Sequence, residues 1–115
     1  MAQGFIKNIA PEEILTLKDQ VAVTQGQVVS RTLAQNEALS ITLFAFAKGE
    51  EIGTHSSTGD AMVTVLEGTG RFTVDGTEYV LEQGQTLIMP ATKPHAVFAV
   101  EDFKMLLTVV FPREK

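Results

Sequence analysis

Two histidines, His55 and His95, are the side chains of this sequence best suited to reversible chemistry at neutral pH. An imidazole titrates near neutrality, so a histidine in a pocket can take up and return a proton under working conditions. Isomerase or epimerase chemistry needs only one or two such groups. His95 would serve as base, His55 as its partner, and Tyr79 as an acid if its ring faces inward. The competing role for Tyr79 is cross-strand packing. The run Thr54-His55-Ser56-Ser57 does not make a hydrolase. A serine beside a histidine along a strand does not present its hydroxyl to the imidazole, and no orienting acid accompanies the pair. Met89 suits a pocket wall, because methionine is a flexible, polarizable filler. Lys93, beside Pro94, could attract a carboxylate or stand solvated. With no cysteine in the chain, disulfides, thiolate metal sites and cysteine nucleophiles are excluded.

Strands must position these residues. From residue 26 onward, short β-type segments recur at 27–34, 39–47, 61–66, 70–74, 77–81, 85–89, 95–100 and 103–111. In the second of these, Leu39, Ile41, Leu43, Ala45 and Ala47 fall on one face. Phe44 and Phe46 lie on the other, which predicts that both faces are covered near its end. Asp75-Gly76 between two such segments reads as a two-residue hairpin of the primed type. Evenly spaced short strands with turn signals predict an all-β sandwich or barrel. The stretch 11–15, with Leu17 and Val21 continuing its apolar spacing, reads as either a short turn of helix or an irregular arm. The expected organisation is one domain over residues 1–115, with a barrel core over about 26–112 and an arm over 1–25.

Composition limits the function classes. The chain has 115 residues, 44% hydrophobic and 20% charged, which fits a folded domain. Its net charge of −5 and scattered basic residues exclude the clustered cations that nucleic-acid binding requires. The longest wholly apolar runs, 43–47 and 96–100, are far shorter than the roughly 20 residues that span a bilayer. Residues 1–9 show no secretory pattern, so a cytoplasmic location is the expectation.

Between Gly49 and His95 the sequence resembles the two-part signature of the cupin superfamily. The first part reads Gly, five residues, His-x-His, three or four residues, Glu, six residues, Gly. Here Gly49, His55 and Gly68 match it. The second part reads Gly, five residues, Pro-x-Gly, two residues, His, three residues, Asn, and is matched by Gly84, Pro90 and His95. The resemblance implies a double-stranded β-helix, or jelly-roll barrel, of six to eight strands with a short N-terminal arm. An up-and-down barrel is the alternative architecture. In metal-bearing cupins, two histidines and a glutamate of the first part join the histidine of the second inside the barrel. This sequence has Ser57 in place of the second histidine and Ala61 in place of the glutamate. Thr92 and Ala99 replace the glycine and asparagine of the second part.

Two surviving ligands fall short of the three protein donors that an open transition-metal site keeps, so no resident cofactor is expected. Were a divalent transition metal held, His55, His95 and Asp60 would hold it. Asp60 would need a bulge to turn inward. The sequence thus resembles the small bacterial "cupin 2 conserved barrel" proteins that lack part of the ligand set. That resemblance implies a small-molecule-binding barrel with His55, Ser57, Met89 and His95 around the ligand in its mouth. The same two histidines could equally be inherited residues bonded to Ser57, Thr86 or water. The competing function is a small cupin enzyme, a metal-dependent dioxygenase or an isomerase, and a third is a barrel used for protein contacts. Free sheet edges imply a homodimer.

Overall fold

Short segments rich in β-branched and aromatic residues build most of the nine strands in a computed structural model that describes residues 4–113. These are β1 (Val28–Gln35), β2 (Leu39–Phe46), β3 (Glu51–His55), β4 (Asp60–Glu67), β5 (Thr69–Val74), β6 (Thr77–Glu82), β7 (Thr86–Met89), β8 (His95–Ala99) and β9 (Phe103–Val110). They form two antiparallel sheets that face each other, ordered β1-β2-β9-β4-β7 and β3-β8-β5-β6. This is the jelly-roll arrangement. β3 is the strand that the alternation does not announce: only Ile52 of its five residues is apolar, and Gly53 interrupts it.

Alternation decides which side chains fill the space between the sheets. Ala61, Val63 and Val65 of β4 point inward, as do Phe103 and Met105 of β9 and Val97 and Ala99 of β8. Phe46 stacks on Phe103 with ring centroids 4.6 Å apart, and Phe72 meets Phe103 edge-on at 6.1 Å. All three rings are fully buried, and each contributes about 1.5–3 kcal/mol relative to exposure. Gly70 lies flat against the Phe103 ring, where a β-carbon would come within 2.8 Å of the ring carbons.

On the opposite face of the five-stranded sheet, the β1–β2–β9 part is covered by the N-terminal arm. Val21 is buried there with Leu33, Leu43 and Ala45, and Ile9, Leu17 and Val23 pack around them. β2 is therefore apolar on both faces near its end, as its sequence predicts, because barrel interior lies on one side and arm on the other. Backbone groups hold the arm: the Lys7 N–H donates to the Leu33 carbonyl at 2.7 Å. The Asn8 amide donates to the Thr32 carbonyl at 2.7 Å, and the Lys104 ammonium to the Lys18 carbonyl at 2.6 Å.

A helical turn over 11–15 is not formed; a single 3-10 turn, Leu17–Gln20, stands later in the arm. Glu12 adopts a left-handed conformation (φ 60°) that breaks a helix there, and Ile14 projects fully into solvent. One short turn does not repay the cost of helix nucleation without a buried stripe, and this stretch has none. At the other hairpin the expectation matches: Asp75 (φ 49°) and Gly76 (φ 86°) are both left-handed, as a type I′ turn requires. No helix of the described residues is long and apolar enough to cross a membrane.

Candidate functional site

Strand alternation alone would separate the two histidines. Ile52 pairs with Val97 and shares its inward direction, so His55, three residues on, should face outward. A register irregularity between Ile52 and His55 corrects this and sets His55 opposite His95. The imidazoles meet edge-on, with ring centroids 4.3 Å apart and planes inclined at 69°. His95 is buried, whereas His55 is exposed.

Each ring is fixed from behind by a main-chain carbonyl. His55 Nδ1 lies 2.9 Å from the Gly53 oxygen and His95 Nδ1 lies 3.2 Å from the Lys93 oxygen. A carbonyl oxygen can only accept, so Nδ1 carries the proton in both rings. In the neutral form this leaves each Nε2 as the acceptor. Burial lowers the pKa of His95, and the adjacent His55 charge lowers it further, against an opposing pull from the Lys93 carbonyl. His95 is therefore held neutral around pH 7, a buried base beside an exposed one. The partners that the sequence suggested for these rings are engaged elsewhere. The Thr86 hydroxyl bonds the Thr64 hydroxyl at 2.8 Å, and the Ser57 hydroxyl accepts the Gly59 N–H at 3.0 Å.

The remaining candidate residues have distinct placements. Ser57 is half-buried, and its carbonyl accepts the Thr92 N–H at 2.7 Å, so it joins the loop before β4 to the loop before β8. Asp60 opens β4 in regular register opposite Val110, without the bulge that would turn it toward the histidines. Its carboxylate instead accepts the Ala91 N–H at 2.7 Å. Met89 is buried in the core and pairs with Ala61. Tyr79 pairs with the core residue Phe72 and so lies on the inner side of β6, where its ring remains partly exposed.

The donor set can be compared with the metal site that cupins carry. At the four signature positions stand two imidazoles, a serine hydroxyl already accepting a backbone N–H, and an alanine with no donor. Among the described residues no three of His, Cys, Asp and Glu converge on one point. These residues do not fit an open site with three protein ligands.

Two features of the site escape sequence reasoning based on residue type alone. One is the bulge that turns His55 inward. The other is Thr92, whose φ of 68° places a β-branched residue in the left-handed region, where it is a conformational outlier. The signal for the second was visible, since Thr92 occupies the glycine position of the second signature half. The replacement keeps the glycine conformation without the glycine.

Comparison with known proteins agrees with this fold. The family model described as "Cupin domain" matches residues 42–111. A conserved protein of unknown function from Streptococcus pyogenes is 49% identical, with a TM-score of 0.96 over 99% of this chain and 100% of that one. A cupin superfamily protein from Desulfitobacterium hafniense is 33% identical, with a TM-score of 0.89 over 93% of this chain and 98% of that one. An uncharacterized protein from Aquifex aeolicus is 26% identical over 105 residues, covering 90% of this chain and 87% of that protein. Signature spacing, two-sheet barrel and family match coincide on the same residues, and the chain belongs to the cupin family.

Proposed function

We propose that this cupin is a small-molecule-binding module that holds an organic ligand in its barrel mouth beside His55 and His95, without a resident transition metal. The carrying observation is the imidazole pair, whose Nδ1 atoms are committed to the Gly53 and Lys93 carbonyls, leaving both Nε2 atoms to receive a ligand. Two convergent polar groups bordering an apolar interior are the usual composition of an organic-ligand site. The absence of a third converging donor among the described residues supports the metal-free part of the reading.

Elemental analysis of untagged protein tests it, before and after incubation with Fe, Mn, Ni, Zn or Cu followed by desalting. Far less than one metal per chain is the expected result. Near-stoichiometric metal that disappears in His55→Ala and in His95→Ala would overturn the reading and make the histidines ligands.

One observation favours a second reading, an isomerase-type enzyme. A buried histidine kept neutral at pH 7 is a competent general base. Turnover of a bound compound that His95→Ala abolishes would establish that role. The binding reading further includes a homodimer, supported by the apolar side chains of Met62 and Ile88 that neighbour each other on the outer sheet face. It also includes a cytoplasmic setting, which suits a sequence without cysteine.

A further inference from the structure

The two sheets end in unpaired strands, β6 on one and β7 on the other. Between them a cleft of about 310 Å³ opens along the side of the barrel. That volume is at the low end of the roughly 300–1,000 Å³ typical of small-molecule sites. Its walls are Val74 and Tyr79 from the hairpin β5–β6, with Leu87 and Pro90 from β7 and the residue after it. Thr77 adds a hydroxyl. At its rim stand one cation and one anion, Lys93 and Asp75, paired at 3.2 Å.

The charges decide what fits. The Lys93–Asp75 pair is about half exposed, and such pairs contribute about 0–1 kcal/mol, so opening it costs little. A ligand bearing only a carboxylate would take Lys93 and leave its own charge facing Asp75. A ligand bearing only an ammonium would take Asp75 and face Lys93. A ligand carrying both charges on neighbouring atoms satisfies each partner with an opposite charge and leaves none unpaired. The backbones of both residues are held by turn and loop hydrogen bonds. The Asp75 N–H donates to the Pro94 carbonyl at 2.8 Å, and the Lys93 N–H to the Pro90 carbonyl at 3.3 Å. A held backbone removes part of the ordering cost of binding.

We propose that the β6–β7 cleft binds a zwitterion with an apolar tail, an α-amino acid with an aliphatic or aromatic side chain. Its carboxylate lies on Lys93, its ammonium on Asp75, and its side chain lies against Tyr79, Leu87 and Val74. This site goes beyond the imidazole pair and does not depend on it. The two are nonetheless close, because Val74 is the cross-strand partner of His95.

Amide-resolved NMR titration of the full chain tests the proposal with three probes: L-phenylalanine, 3-phenylpropanoate and phenethylamine. L-Phenylalanine is expected to shift the amides of Thr77 and Tyr79 and to bind at least about tenfold more tightly than either half-molecule, the equivalent of about 1.4 kcal/mol. Asp75→Asn suits the left-handed turn and removes only charge; it and Lys93→Met are each expected to weaken binding about tenfold. Glu101→Gln, remote from the cleft, leaves binding unchanged. Equal binding of the three probes overturns the proposal, as does binding that survives both charge removals. Shifts confined to His55 and the β3 amides also overturn it while leaving the mouth reading intact. No response of the Thr77 and Tyr79 amides to L-phenylalanine also overturns it.

Discussion

At the residue scale, the loop before β8 concentrates the unusual chemistry. Thr92 is left-handed, Lys93 supplies both a carbonyl to His95 and an ammonium to Asp75, and the Ser57 carbonyl accepts the Thr92 N–H. A left-handed L-residue costs roughly 1–2 kcal/mol, and β-branching adds to that. Replacing Thr92 by glycine relieves the strain but frees the unfolded chain by roughly 0.4–1 kcal/mol. Thr92→Gly is therefore expected to stabilise the protein by up to about 1 kcal/mol in urea unfolding. Thr92→Asn, which tolerates the left-handed region, should do at least as well. Destabilisation by both variants would show that the Thr92 side chain contributes more than its backbone costs. At this scale the signature positions were legible, because Gly49, His55, Gly68, Gly84, Pro90 and His95 stand at fixed spacings. The partners of Ser57 and Asp60 were not, since each accepts a backbone N–H brought near only by loop folding.

At the element scale, period-2 patterning was a sufficient guide wherever a strand has one face in the core. β4, β5 and β9 show it, with buried residues at alternating positions. β3 escaped because its inward set, Ile52 and His55, violates the period through a bulge, and a bulge leaves no mark in hydropathy. The 3-10 turn of the arm escaped for a different reason. A single 3-10 turn has too few residues for a helical period, and its value lies in covering Leu43 and Ala45 rather than in its own hydrogen bonds. Two glycines in the four-stranded sheet separate packing from chain freedom. A β-carbon at Gly70 meets the Phe103 ring at 2.8 Å, and that ring is itself stacked on Phe46 and cannot move freely. Gly70→Ala is expected to cost about 1–3 kcal/mol through overpacking. Gly53 has open space around its β-carbon position and no left-handed φ, so Gly53→Ala should be neutral or stabilising by up to about 1 kcal/mol. Thermal unfolding of the two variants side by side checks both. Equal effects would refute the overpacking against Phe103.

At the scale of the whole molecule, the outer face of the five-stranded sheet is unevenly covered. Its β1–β2–β9 half lies under the arm, with Leu43 and Ala45 buried. Its β4–β7 half carries Met62 opposite Ile88, and neighbouring Val110 of β9 is also exposed. Large apolar side chains grouped on one sheet face beside an unpaired strand edge are the composition of an interface. A two-fold pairing of copies would bury the same patch on each, and a standard interface needs about 800 Å² per partner. Val80, equally exposed, lies on the outer face of the other sheet beside the charged pair Arg71 and Glu78, which suits solvent better. Light scattering is therefore expected to give twice the 12.5 kDa chain mass. Ile88→Lys, which places a charge at the centre of the patch, should yield monomers, and Val80→Lys should leave the dimer intact. A monomeric parent protein would refute the interface. A dimer that Val80→Lys dissolves and Ile88→Lys spares would move it to the four-stranded sheet, where it would have to coexist with the Arg71–Phe98 stacking contact at 4.6 Å.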